Sequence, residues 1–132
     1  MSYKLLFVLL ILFFGLSGKA LCQAWVAPAS ADQLKNPYSG NAEAIKQGKA
    51  IFESMCSVCH GEKGKGDGSG SVTLTPAPAN FLAISVRNES DGAIFWKLTN
   101  GNPPMAAYKD LITETQRWQV VNYIRQLEKQ SK

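Results

Sequence analysis

The chain has 132 residues, with 14 Lys and Arg against 10 Asp and Glu for a formal charge of +4. That length suits one domain, and 3 cysteines with a single histidine are too few for a four-ligand structural zinc site once a leader takes one thiol. The basic balance is not a nucleic-acid signature: Lys4 and Lys19 lie in that leader, and no basic stripe with interleaved aromatics follows.

The leader is read over residues 1–24. Lys4 precedes an unbroken apolar run from Leu5 to Phe14, and then come Gly15, Leu16, Ser17, Gly18, Lys19 and Ala20, the layout of a secretory signal. A spanning helix wants about twenty apolar residues, and Lys19 interrupts this one early. Cleavage after Ala24 puts Cys22 and Ala24 at the small −3 and −1 positions; cleavage after Ala20 is the other option. A lipidated Cys22 fits less well, because bulky Leu21 stands where a small residue is expected. The expectation is an exported, periplasmic protein. A form anchored facing the periplasm, through an uncleaved leader or Cys22, is the alternative.

Residues 25–40 (WVAPASADQLKNPYSG) are rich in Pro, Ala and turn formers and read as an extended arm, lying over the domain or linking it to something else. The domain itself is expected over 41–132. Asn41 is a good N-cap, Glu43 suits a first turn, and Ile45, Gly48, Phe52 and Met55 recur at helical spacing. Gly48, four before Phe52, leaves room for a second helix to come close.

That helix delivers the chain into Cys56-Ser57-Val58-Cys59-His60, and Cys-x-x-Cys-His is the attachment sequence for a c-type haem. Each thiol adds across a porphyrin vinyl group, and the adjacent imidazole becomes an axial ligand to iron. A thioredoxin-like redox pair needs a flanking βαβ pattern, which is absent. With His60 the sole histidine, the other axial position falls to methionine, lysine, a weaker ligand or water. Met1 belongs to the leader and Met55 abuts Cys56, so Met105 remains, on the proline-stiffened loop Thr99–Tyr108. Its plainer reading is a loop methionine packed on the haem edge.

Residues 61–70 hold five glycines in ten. They fit neither a P-loop nor a calcium loop and read as a sharp turn around the haem, with Lys63 and Lys65 solvated. The stretch 74–81 (LTPAPANF) cannot be helical; a carbonyl of Thr75, Pro76 or Ala77 is expected to accept the free N–H of His60. Ser90 caps a short helix with Asp91 in its first turn, ended by Asn100-Gly101. On it Trp96 is either a haem-pocket wall or an ordinary buried tryptophan. Thr113-Glu114-Thr115-Gln116 is a capping box opening the last helix, whose stripe is Val120, Tyr123, Ile124 and Leu127, with Lys129 and Lys132 at its end.

Residues 41–129 resemble the class I c-type cytochromes of the small, exported bacterial kind. Gly48 and Phe52 match that family's first helix, and Val120, Asn122, Tyr123 and Ile124 match its last. Cys56 and Cys59 fall on its haem cysteines, His60 on its proximal ligand and Met105 on its loop methionine, while Pro76–Pro78 matches its proline loop. The resemblance implies an all-α cytochrome c fold, three main helices plus loops wrapped around one covalently attached haem c. It implies a non-enzymatic carrier of single electrons between redox protein donors and acceptors of a respiratory chain, with no nucleic acid involved. A haem enzyme or gas sensor with an open sixth coordination position is the alternative function.

Overall fold

In the computed structural model, residues 24–130 are described; residues 1–23 and 131–132, which hold Cys22, Lys132 and the expected leader apart from Ala24, lie outside them. The first long helix, α1 (Ala42–Met55), begins where the Asn41 side chain accepts the Ala44 amide at 2.9 Å, satisfying one of the four donors a helix start leaves open. Next come α2 (Ser57–His60) and α3 (Ile84–Arg87), each one turn, then α4 (Asp91–Asn100) and α5 (Glu114–Gln130). The Ser90 hydroxyl caps α4 by accepting the Ala93 amide at 3.0 Å. At α5 the capping box closes in both directions: the Gln116 amide donates to the Thr113 hydroxyl at 3.2 Å and the Thr113 amide to the Gln116 side chain at 2.8 Å. No strand occurs among the described residues, only an isolated bridge between Asn102 and Met105. The short helix α3 has no counterpart in the sequence reading. Its four residues are too few to show a period.

The central contact is α1 against α5. Gly48 faces the Gln119 backbone so closely that a Cβ there would lie 1.9 Å from the Gln119 carbonyl oxygen. Absence of a side chain lets the two backbones meet. Phe52, Val120 and Val121 then bury to 0%, 1% and 0% exposure, and the Phe52 ring sits edge-on to Tyr123 at 5.2 Å and to Phe81 at 6.1 Å. On the other side of α5, Trp118 stacks on Phe95 of α4 at 3.9 Å, which ties the third long helix to the pair.

The arm over 25–40 is not extended throughout. A 3-10 turn spans Ala29–Gln33, with extended residues on both sides of it, and the segment folds back on α4. Ala31 is buried against Gly92, where a Cβ would lie 2.0 Å from the Ala31 carbonyl oxygen. Asn36 is the hinge of the polar contacts: its amide nitrogen donates to Asp91 at 2.8 Å, and its oxygen accepts from Asn122 at 3.2 Å. Asp91 also takes the Arg125 Nε at 2.7 Å. Burial works against the Arg125 charge, but Asp91 and Glu128 outweigh it and raise the guanidinium pKa. The Lys97 ammonium stands over the Trp25 ring at 5.4 Å.

Two outcomes follow. Gly48→Ala must push α1 away from α5 and should destabilise the holoprotein by about 3 kcal/mol, a melting midpoint lower by roughly 10 °C or more; an unchanged midpoint would deny the close crossing. Asn36→Ala removes the bonds that join the arm to Asp91 of α4 and Asn122 of α5, costing about 1–2 kcal/mol. Proteolysis within 25–40 should speed up while amide exchange in α1 and α5 stays as slow as before; matched loosening of both helices would contradict this division.

Candidate cofactor site

Helix α1 does not run on through the motif. Cys56 adopts φ −112°, ψ −35°, and the chain restarts as the single turn α2. The Cys59 and His60 amides both bond the Cys56 carbonyl, at 3.2 and 2.9 Å. Residues three apart share a helical face, so the break and the turn put both thiols on one side with the imidazole next to them. Neither cysteine of the motif is spent in a disulfide. Burial, with the Cys59 charge adding to it, pushes the Cys56 pKa up to about 12, so the group is protonated at neutral pH.

The glycine-rich segment closes over the end of this turn. The Gly66 amide bonds the His60 carbonyl at 2.7 Å and the Gly68 amide the Cys59 carbonyl at 3.1 Å, satisfying carbonyls that a helix end leaves open. Gly68 comes so near that a Cβ would lie 2.3 Å from the Val58 carbonyl oxygen. A side chain at this point would lift the loop off the motif.

His60 Nδ1 lies 3.1 Å from the Ala79 carbonyl oxygen. A carbonyl only accepts, so Nδ1 carries the proton and Nε2 is left with the lone pair a metal requires. The acceptor is therefore Ala79, not Thr75, Pro76 or Ala77 as expected from sequence. The reason is the turn at Asn80, whose side chain accepts the Leu82 amide at 2.9 Å; the chain reaches the imidazole only as it swings into that turn, past both prolines. Burial lowers the His60 pKa, and the Ala79 bond opposes it in part; the neutral ring is the form that ligates. Phe81 stacks on the imidazole at 4.6 Å and 20°, and its own amide is held by the Gly64 carbonyl at 2.8 Å.

Met105 is half-buried on the same core cluster that includes Cys56. Trp96 lies half-buried on α4, outside the buried cluster that its neighbour Phe95 joins. Sequence reasoning missed three members of this region: Ala79, Phe81 and Tyr108. Phe81 ends a proline segment and Tyr108 follows Met105 by three, but a lone aromatic in a loop carries no periodic signal. Among the described residues no group of three or more His, Cys, Asp or Glu gathers at one point. Two soft thiols, one oriented imidazole and a thioether on a shared core fit a covalently bound haem, and Cys56, Cys59 and His60 are the residues to hold it.

Comparison with known proteins agrees. Residues 43–124, well over half of the chain, match the family described as cytochrome c oxidase, cbb3-type, subunit III. The chain is 38% identical over 52 residues to quinohemoprotein alcohol dehydrogenase ADH IIB of Pseudomonas putida, covering 39% of this chain and 8% of that protein. It also superposes on a chain of the Kuenenia stuttgartiensis reducing HAO-like protein complex with a TM-score of 0.61 at 23% identity, covering 71% of this chain and 49% of the other; that likeness bears on the fold alone. The chain thus spans less than a tenth of the curated relative and about half of the solved one. With the attachment turn, the three long helices and the family match in agreement, the chain belongs to the cbb3-type cytochrome c oxidase subunit III family and is a class I c-type cytochrome, an all-α haem c domain for electron transfer.

Proposed function

We propose that this chain carries single electrons between respiratory redox partners, as a free shuttle or as the electron-entry domain of a larger complex, through one haem c ligated by His60 and Met105. The observation that carries the reading is the fixed imidazole: Nδ1 bonded to Ala79 and the ring backed by Phe81, directly after Cys56 and Cys59, which form no disulfide. When bound, the haem supplies a one-electron ferrous–ferric couple, whose potential a His/Met ligand pair raises.

The chain's own residues do the rest. Cys56 and Cys59 would hold the haem through two thioethers, each made by adding its S–H across a vinyl group. Ala79 and Phe81 keep the imidazole from turning, so little reorganises when the charge at its partner changes. The turn around Pro103 and Pro104 is cross-bonded from Asn102 to Met105 at 3.1 and 2.9 Å, which supports a thioether held at one place. With Met105 as a ligand the iron would have no open position for oxygen or peroxide, which would argue against a catalytic or gas-sensing role. The leader reading and the use of both thiols in attachment support export to the periplasm.

Met105→Ala should abolish the far-red iron–sulfur band of the ferric protein, lower the reduction potential and open the reduced protein to CO. An unaltered spectrum and potential would overturn Met105 as ligand, and CO binding by the unmodified protein would bring the enzyme or sensor reading forward. Cys59→Ala and His60→Ala should each sharply reduce the yield of folded protein, because a domain of this size loses much of its core with the porphyrin; normal yield and helicity from the exported variants would contradict this.

A further inference from the structure

The loop that carries Met105 is tied down at both ends. It leaves α4 at Gly101, φ +66°, where a Cβ would lie 2.6 Å from the Ala106 and Ala107 backbone. At the far end Arg117 donates to the carbonyls of Lys109 and Ile112, at 3.2 and 2.9 Å. Between these anchors the Asn102–Met105 turn is internally bonded, so it moves, when it moves, as a unit.

A hydrogen bond runs from this loop to the end of α1, just before the attachment turn. Tyr108 Oη donates to the Met55 carbonyl at 3.2 Å. That acceptor exists because the helix breaks at Cys56. In a continuous helix the Cys59 amide would serve Met55, four residues earlier; here it bonds Cys56 instead, at 3.2 Å. A phenol is protonated at neutral pH, and burial raises the Tyr108 pKa further, so the hydroxyl is the donor. The ring packs on the same core cluster that Met105 and Met55 pack against. A phenylalanine would supply the packing without the directed bond.

We propose that Tyr108 is the positioning residue for Met105: by bonding the carbonyl immediately before Cys56, it sets the separation between the methionine turn and the attachment turn. The proposal rests on the Met105 ligation given above. Without the hydroxyl the turn keeps its own bonds but loses this tether to the residue before Cys56, and the sulfur spends more time away from iron. An added ligand that competes for the sixth position then gains affinity in proportion to that open fraction. One lost hydrogen bond corresponds to a gain of several-fold, up to about tenfold.

The test is cyanide binding to the ferric holoprotein in four forms: unmodified, Met105→Ala, Tyr108→Phe and Tyr38→Phe. Tyr38 bonds the Thr115 hydroxyl at 3.3 Å, outside the site, and controls for the loss of any phenol. Met105→Ala should bind cyanide tightest. Tyr108→Phe should bind several-fold to about tenfold more tightly than the unmodified protein, with a weakened far-red band. Tyr38→Phe should lower only the melting midpoint. Unmodified affinity in Tyr108→Phe beside tight binding in Met105→Ala would overturn the role of Tyr108 and leave Met105 standing. Unmodified affinity in Met105→Ala would overturn both. Equal tightening in Tyr38→Phe would make the effect a general loss of stability and overturn the proposal as well.

Discussion

Backbone contact between Gly48 and Gln119 fixes the crossing of α1 and α5, and the site inherits its geometry from that crossing. One turn on from Gly48, Phe52 is fully buried between Tyr123 and Phe81. One turn further, α1 ends at Cys56. The distance along α1 from the crossing to the first thiol is thus a fixed number of helical rises, about 12 Å at 1.5 Å each. The thiols are placed by a rigid rod seated at its middle. A shift of the crossing by one methyl group would move every ligand with it.

What the rod does not supply, the loops do by bonding one another. Gly66 and Gly68 hold the end of the attachment turn, Gly64 holds Phe81, and Phe81 backs the imidazole whose proton Ala79 takes. Together these bonds enclose His60. Tyr108 extends the same logic to the loop that carries Met105, using a carbonyl that the helix break sets free. The arm contributes at the back of the molecule, where Asn36, Asp91 and Arg125 join it to α4 and α5.

Features that depend on near neighbours in the chain were readable from sequence. The caps at Asn41, Ser90 and Thr113 need only three residues each, and all three form. The attachment pentad is likewise local, and the space over Gly48 followed from its position beside Phe52 on a helical face. Features that depend on the path of a loop through space were not. That the chain meets His60 at Ala79, not at the preceding prolines, follows from a turn at Asn80 that no periodicity announces. The bond from Tyr108 to Met55 joins residues 53 apart, and the Asn36–Asp91 bond joins residues 55 apart. The 3-10 turn at Ala29–Gln33 formed where an extended arm was expected, because Ala31 has Gly92 to pack against.

The central claim is that the fold closes around one haem joined to Cys56 and Cys59. Its most direct measurement is the intact mass of the purified protein under denaturing conditions, together with a thiol titration. The account predicts a chain heavier by a single haem that survives unfolding, with no reactive thiol at Cys56 or Cys59. A bare polypeptide mass, with both of those thiols titratable, would contradict it.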